Sequence, residues 1–200
     1  YQLLTENGGE EMTDYTQVDH LPTHGKRVVF QGVEGAYSFG AMKEFFDDTI
    51  TSFHVDTWKE AMEAITKGEA DYAVLPIENS TAGIVSDIYD LLVEYPHYIV
   101  GEQELPVEHV LMALPGAKVE DIRTVISHPQ ALAQCRRFLE SYENWKTEER
   151  LNTAAAAIEV SESGDLTMAA VGSPYAAEHF GLQILKEDIF DARGNTTRFV

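Results

Sequence analysis

Short apolar segments alternate with segments of helical periodicity along the sequence from Arg27 onward. The opening RVVF is typical of a buried strand, and in the following SFGAMKEFF the large apolar residues fall on one helical face. Strands that alternate with helices are typical of α/β folds, in which a crossover helix connects two parallel strands. The alternation therefore predicts an α/β protein built on parallel sheets.

An extended region, residues 99–114, divides this alternation into two series. Two such series predict two parallel-sheet lobes with a cleft between them, lobe 1 at about residues 26–103 plus 184–200 and lobe 2 at about residues 104–183. Ligands of open parallel sheets bind in the crevice at the carboxyl ends of the strands. We therefore expect a ligand site at the strand-to-helix junctions.

Residues 1–25 differ from the rest of the chain, because they contain five acidic residues, no lysine or arginine, and no apolar periodicity. A segment of this composition has little apolar surface to bury. We interpret residues 1–25 as a linker or tail and residues 26–200 as the folded domain.

The charge of the chain limits its partners. Its net charge of −20 at pH 7 argues against nucleic-acid binding, because nucleic-acid binders carry a basic face. An anionic ligand would therefore need arginine, helix N-termini and backbone N–H groups placed at its own site.

Cysteine and histidine usage limits the compartment and the metal chemistry. Cys135 is the one cysteine, so no internal disulfide or cysteine-based zinc cluster can form, which suits a reducing cytosol. No apolar run approaches the roughly 20 residues of a membrane helix, and no signal peptide opens the chain. The histidines lack HExxH or any comparable ligand spacing. We expect a cytoplasmic protein with no metal site and no membrane contact.

The first junction is QGVEGAYS, residues 31–38, in which two glycines lead into a helix with Ser38 as its predicted N-cap. Glycine lets the backbone approach a ligand, and the N–H groups at a helix start attract anions. The GxGxxG fingerprint and the P-loop lysine are both absent, which disfavours nucleotide binding. A tight turn followed by a helix cap explains this motif equally well.

The second junction is PIENSTAG, residues 76–83, where four polar residues follow an apolar strand. Glu78, Asn79, Ser80 and Thr81 precede a predicted helix at residues 85–94, and one of them is enough to cap it. The surplus of polar groups leaves capping and ligand binding as alternatives.

The third junction is SHPQALAQC, residues 127–135. Ser127 ends a predicted strand, and Gln130 and Gln134 lie one turn apart on the same face of the helix that follows. His128 is either an acid or base, or a loop histidine with a structural hydrogen bond. Cys135 has no neighbouring base in sequence, so a buried structural cysteine is favoured over a thiol nucleophile.

The chain closes on GNTTRFV, residues 194–200, which has the composition of a strand. This strand is either a plain sheet edge or a carrier of side chains that project into a site. The residues themselves leave both alternatives open.

Five segments, taken in order, closely resemble the prephenate dehydratase domain: VVFQGVEGAYSFGAMKEFF, ADYAVLPIENSTAGIVSDIYDLL, VISHPQALAQCRRFL, MAAVGSPYAAEHFGLQIL and GNTTRF. The resemblance covers about residues 27–200. It implies two α/β lobes like those of a type 2 periplasmic binding protein, with the active site in the cleft. It also implies the conversion of prephenate to phenylpyruvate, water and carbon dioxide in phenylalanine biosynthesis, without a cofactor.

The resemblance assigns roles to residues of this sequence. It implies that Thr197 is the catalytic residue. The substrate-binding residues that it implies are Ser38, Asn79, Ser80, Ser127, Gln130, Gln134, Arg198 and Phe199. This chain has Ala36-Tyr37 where many relatives have Thr-Phe, so it lacks a hydroxyl at position 36.

The same resemblance leaves alternatives for the substrate and for the full-length protein. Arogenate dehydratase is the alternative enzyme, and a non-catalytic small-anion-binding cleft protein is the alternative of another class. Relatives are commonly homodimers. Many of them carry an ACT domain downstream, which this chain does not include, and some carry a chorismate mutase upstream, whose last helix the opening YQLL resembles.

Overall fold

The structure is a computed structural model that describes residues 21–191 and 194–200, and these residues group into two units. Within the described residues, unit 1 comprises residues 21–32, Ala41–Leu105 and Thr197–Val200. Unit 2 comprises Val33–Gly40 and Pro106–Thr196.

The two units contain the following elements. The strands are β1 Arg27–Gln31, β2 Thr51–Val55, β3 Tyr72–Val74, β4 Pro76–Asn79, β5 Gly83–Ile84, β6 Gln103–Pro106, β7 Val110–Ala113, β8 Thr124–Ser127, β9 Lys146–Glu149, β10 Met168–Gly172, β11 Gln183–Lys186 and β12 Thr196–Phe199. The helices are α1 Tyr37–Phe45, α2 Trp58–Thr66, α3 Ser86–Glu94, α4 Pro129–Gln134, α5 Arg136–Glu140, α6 Thr153–Ser163 and α7 Pro174–His179, with a 3-10 turn at Val119–Asp121.

Unit 1 contains a parallel sheet of order β2-β1-β3. Its central strand β1 carries Val28, Val29 and Phe30, all fully buried, because a central parallel strand is covered on both faces. Helix α2 begins after its N-cap Thr57, whose hydroxyl accepts from the Glu60 backbone N–H at 3.2 Å. The Glu60 carboxylate accepts in return from the Thr57 backbone N–H at 2.8 Å, which completes a capping box.

A second sheet has the order β5-β4-β12-β6, and in it β4 runs antiparallel to both β5 and β12. PIEN, which we expected to lie in a strand-to-helix junction, therefore forms a strand of its own. A three-residue turn, residues 80–82, connects it to β5. The physical reason is that its partner strand β12 comes from the far end of the sequence, so no local pattern announces the pairing.

Unit 2 contains a sheet of order β11-β7-β10-β8-β9. Strand β8 is parallel to β9 and β10, whereas β7 is antiparallel to β10 and β11. The predicted α/β class with parallel strands is confirmed, but the sheet is mixed rather than wholly parallel. A continuous apolar strand such as VLMA reads alike in either direction, so its sequence does not reveal its orientation.

The division of the chain differs from the predicted lobe boundaries. Residues 184–196 group with unit 2 because β11 pairs with β7, and only Thr197–Val200 belong to unit 1. Residues 33–40 also group with unit 2, where the Gly35 carbonyl accepts from Ser173 Oγ at 2.5 Å.

Most of the predicted tail, residues 1–20, lies outside the described residues. Residues 22–25 are attached to unit 1: the Pro22 carbonyl accepts from the Tyr72 hydroxyl at 2.9 Å, and the Gly25 N–H donates to Thr49 Oγ1 at 3.3 Å. The contacts of unit 1 therefore begin a few residues before the predicted boundary. Across the described residues, no helix has the length and apolarity needed to cross a membrane.

Candidate active site

Unit 1 brings together two of the predicted site residues, Asn79 and Thr197. They lie opposite each other on the antiparallel strands β4 and β12. The Asn79 side-chain nitrogen Nδ2 donates to Thr197 Oγ1 at 2.9 Å. The Asn79 oxygen Oδ1 accepts from the backbone N–H groups of Thr81 and Ala82, at 3.0 and 2.9 Å. The side-chain amide of Asn79 therefore makes two kinds of contact. Its oxygen stabilises the turn, and its nitrogen binds the Thr197 hydroxyl.

The hydroxyl of Thr197 is consequently an acceptor in its contact with Asn79. Within residues 21–191 and 194–200 it makes no second side-chain hydrogen bond. A hydroxyl has one proton to donate in addition to its acceptor lone pairs. The Thr197 proton is thus available to a ligand, while the oxygen that carries it is held in place.

The other predicted site residues of unit 1 have different surroundings. Arg198 lies opposite Glu78, and the closest guanidinium-to-carboxylate distance is 3.7 Å between two half-exposed side chains. An exposed pair of this kind contributes about 0–1 kcal/mol, so it competes weakly with a ligand for Arg198. Phe199 is buried, with 3% of its surface exposed, and lines a small apolar cavity with Phe46 and Tyr72.

Ser80 is exposed in the turn between β4 and β5. The expectation that Ser80 lies near a helix start is corrected, because α3 begins only at Ser86. An anion at Ser80 would meet turn N–H groups rather than a helix N-terminus.

In unit 2 the third junction has the predicted local structure. Strand β8 ends at Ser127, and His128 is the N-cap of α4, with Pro129 as its first residue. The Nδ1 atom of His128 accepts from the Gln130 backbone N–H at 3.2 Å, which is the structural role that we weighed against acid–base chemistry. Ser127 is fully buried, and its hydroxyl donates to the Val171 carbonyl at 2.6 Å.

Helix α1 begins at Tyr37, one residue earlier than predicted. Ser38 therefore lies in the first turn of the helix, and the prediction that it is the N-cap is wrong. The side chain is buried, with 7% of its surface exposed.

Sequence reasoning missed a histidine that contacts a predicted site residue. His109, at the start of the buried segment that contains β7, is 4% exposed. Its Nε2 lies 2.9 Å from Gln134 Oε1, and its Nδ1 lies 3.4 Å from the Tyr37 hydroxyl, whose single proton is donated to the Glu108 carbonyl. No sequence signal could have found this network, because its members are 25 and 72 residues apart in the chain.

Burial controls the protonation of this region of unit 2. Desolvation lowers the pKa of His109, and the hydrogen bond with Gln134 offsets part of that effect, so the ring is neutral at pH 7. Desolvation raises the pKa of the Tyr37 hydroxyl. Desolvation also raises the pKa of the Cys135 thiol to about 12, and the negative charge of Asp191 contributes to this increase. The raised pKa disfavours the Cys135 thiolate, and the expected burial of this cysteine is confirmed.

The lowered pKa of His109 predicts how stability depends on pH. Because the folded-state pKa lies below the ordinary value of about 6.5, the stabilising contribution is present above that pH and is lost as the pH falls. Two carboxylates, those of Glu108 and Asp188, line the same cavity as His109. We expect the melting temperature of the wild type to fall between pH 7.5 and 5.5 by more than that of His109→Gln.

A matched control for this measurement is His24→Gln, since His24 is exposed. Its melting temperature should fall with pH as steeply as that of the wild type. Equal slopes for His109→Gln and the wild type would show that the buried imidazole does not control the pH dependence.

Across the described ranges, no three His, Cys, Asp or Glu side chains come close enough together to hold a metal ion.

Comparisons with known proteins identify the family of this chain. The family model for prephenate dehydratase matches residues 28–200. Arogenate dehydratase 1 of Petunia hybrida is 40% identical over 212 residues, covering 98% of this chain and 50% of that protein. The bifunctional chorismate mutase/prephenate dehydratase of Escherichia coli K12 is 37% identical over 206 residues, covering 100% of this chain and 53% of that protein.

A solved structure, that of GqqA, described as a novel type of quorum quenching acylase, matches with a TM-score of 0.76 at 39% identity. The match covers 87% of this chain and 62% of that chain. This chain spans about half the length of the curated relatives that it matches. Since the family model covers nearly all of the described residues, the chain belongs to the prephenate dehydratase family.

Proposed function

We propose that the chain catalyses the decarboxylating dehydration of prephenate to phenylpyruvate, with release of water and carbon dioxide. The observation that carries the proposal is the hydrogen bond between Asn79 and Thr197. The Thr197 hydroxyl accepts from Asn79 Nδ2, so the hydroxyl proton of Thr197 remains available to a ligand. Family membership and the relatives named as dehydratases support the same reaction.

The reaction requires that the protein position the substrate and supply one proton donor. The bond from the ring to its carboxylate breaks, and its electron pair moves into the ring as carbon dioxide leaves. The bond from the ring to its hydroxyl breaks at the opposite carbon, and the departing hydroxide takes up one proton to become water. The ring becomes aromatic, so no oxidant or reductant enters the balance.

The difficult step is the departure of hydroxide, which needs a hydrogen-bond or proton donor at the leaving oxygen. We assign this role to Thr197. A threonine hydroxyl is a weak acid by itself, and the bond that it accepts from Asn79 polarises its O–H group. In this proposal Arg198 and turn or helix-start N–H groups bind the substrate carboxylates.

Arogenate, which carries an amino group in place of the side-chain keto group, is the second candidate substrate. The 40% identity with a petunia arogenate dehydratase favours it specifically. In this case the same elimination yields phenylalanine, and Thr197 has the same role.

Both candidates are tested on one preparation of the purified chain. Formation of phenylpyruvate from prephenate and of phenylalanine from arogenate is followed separately, and the two values of kcat/KM are compared. We expect turnover of prephenate, and a larger kcat/KM with arogenate would reverse the order of the two substrates. Absence of turnover with both would refute the proposal. Hydrolysis of an N-acylated amine instead would favour the activity named for the acylase structure.

The remaining partners are also proposals. We propose a homodimer located in the cytoplasm, with covalent fusion to a chorismate mutase and an ACT domain in the full-length protein. The bifunctional relatives support the chorismate mutase fusion. Light scattering of the purified chain at several concentrations tests the dimer, and a single mass equal to the monomer at all of them would exclude it.

A further inference from the structure

His109 is a buried titratable side chain of unit 2 that the proposed chemistry leaves unused. One ring nitrogen lies 2.9 Å from Gln134 Oε1, and the other lies 3.4 Å from the Tyr37 hydroxyl. Phe190 packs edge-on against the ring, with 5.4 Å between the ring centroids. The imidazole is therefore held by a hydrogen bond at Nε2 and by packing against an aromatic neighbour.

The shorter contact determines which nitrogen carries the proton. A carbonyl oxygen can only accept, so Nε2 donates to Gln134 Oε1 and the neutral ring is the Nε2–H tautomer. Nδ1 of this tautomer carries no proton, and its 3.4 Å contact with the Tyr37 hydroxyl is not a hydrogen bond, because the single Tyr37 proton is donated to the Glu108 carbonyl.

The same bond fixes the direction of the Gln134 amide. With Oε1 bonded to His109, the amide nitrogen is the group that does not face the ring, since oxygen and nitrogen are separate substituents of the planar amide carbon. In the described part of the chain, the NH₂ group of Gln134 makes no hydrogen bond to protein. Gln134 therefore presents two N–H donors in a fixed direction.

We propose that His109 is a positioning residue of the active site, which fixes the Gln134 carbonyl oxygen so that the Gln134 NH₂ group donates to an oxygen of the substrate. The proposal rests on the proposed function, in which Gln134 contacts the substrate. It adds a residue from outside the motifs that suggested the function, and it assigns that residue a defined tautomer.

The first test reads the tautomer directly and does not depend on activity. Nitrogen-15 NMR of the imidazole side chains distinguishes Nε2–H from Nδ1–H rings, and loss of one signal set in His109→Gln identifies His109. We expect the Nε2–H tautomer at pH 7.5. The Nδ1–H tautomer would overturn the proposal, because Nε2 would then accept from the Gln134 NH₂ group and that group would no longer face a ligand.

The second test reads the effect on substrate binding. His109→Leu removes the ring donor and should raise KM about 10-fold or more, as expected for loss of a fixed donor to a charged ligand, with a smaller change in kcat. His109→Gln keeps an N–H near the position of Nε2 and should recover most of the KM. His109→Leu combined with Gln134→Leu should raise KM no further than Gln134→Leu alone, because the two residues act as one unit.

A control separates positioning from general destabilisation. Val160→Ala removes volume from the buried face of α6, in the same unit, and should lower the melting temperature without changing KM. If the wild type is active and His109→Leu has the same KM as the wild type, the inference is overturned and the proposed function is left intact. A wild type that turns over neither substrate would instead refute the proposed function, and the tautomer measurement would still decide the geometry at Gln134.

Discussion

Replacing Thr197 with alanine is expected to lower kcat by about 10²–10⁴-fold, the usual contribution of a positioned proton donor. The substitution removes a half-buried hydroxyl and leaves a small apolar group, so the fold should survive. The loss should fall on kcat more than on KM, because the donor acts on the leaving oxygen as its bond breaks. Steady-state kinetics and a melting curve of the same preparation provide both readouts.

Two further variants test whether the hydroxyl itself is responsible. Thr197→Ser keeps the hydroxyl and should recover much of the rate. Thr196→Ala removes the neighbouring hydroxyl, and because side chains alternate along β12 it changes the opposite face of the strand. If Thr196→Ala and Thr197→Ala behaved alike in kcat, Thr197 would be removed from the mechanism.

Asn79→Asp tests the hydrogen bond that holds Thr197. The aspartate keeps an oxygen that accepts from the Thr81 and Ala82 N–H groups, so the turn should be retained. It loses the N–H that donates to Thr197 Oγ1, and the new carboxylate would accept the threonine proton instead. We expect a fall in kcat comparable to that of Thr197→Ala with little change in melting temperature. Full activity in Asn79→Asp would show that Asn79 does not direct the Thr197 proton.

Gly35→Ala is expected to destabilise unit 2 by roughly 2–6 kcal/mol, the sum of two separate costs of about 1–3 kcal/mol each. The first is backbone strain, because Gly35 has φ +86°, a conformation that L side chains rarely adopt. The second is a steric clash, since an added Cβ would lie 2.9 Å from the Cα of Ala176 and 3.2 Å from the ring of Phe180. The first of these neighbours is backbone and cannot rotate away.

Gly116→Ala is the matched control in the same unit. Gly116 has φ +94°, but an added Cβ would meet nothing within 4 Å. Its cost should therefore be the strain alone, about 1–3 kcal/mol. Urea unfolding gives the free energy of unfolding for both variants, and equal losses would show that residues 33–40 do not pack closely against α7.

The sequence predicts those features that depend on residues close together in the chain. The α/β alternation and the helix that follows Ser127 both follow from spacing within a few residues. The Tyr37–His109–Gln134 network depends on contacts across many residues, and no local pattern encodes it. PIEN reads as a junction for the same reason, because its partner Thr197 lies 118 residues away.

The family resemblance supplied candidate residues, and the structure supplies their surroundings. Asn79 and Thr197 were predicted as separate site residues, whereas the hydrogen bond between them appears only when β4 and β12 are paired. Burial likewise distinguishes Ser127, which is fully buried, from Gln130, which is exposed, although both come from one motif. Motifs identify residues, but the direction in which a hydroxyl or an amide donates depends on the fold.

The position of β12 in its sheet determines when this sheet can form during synthesis. The chain leaves unit 1 at Leu105, continues through Pro106–Thr196 and returns with Thr197–Val200 to the place between β4 and β6. Until Thr197–Val200 have left the ribosome, β4 and β6 each lack one neighbouring strand and present unpaired backbone groups to other chains. Thr197 is thus also part of the strand that closes the sheet, so a nascent chain stopped before Thr197 would lack the proposed proton donor and be prone to aggregation.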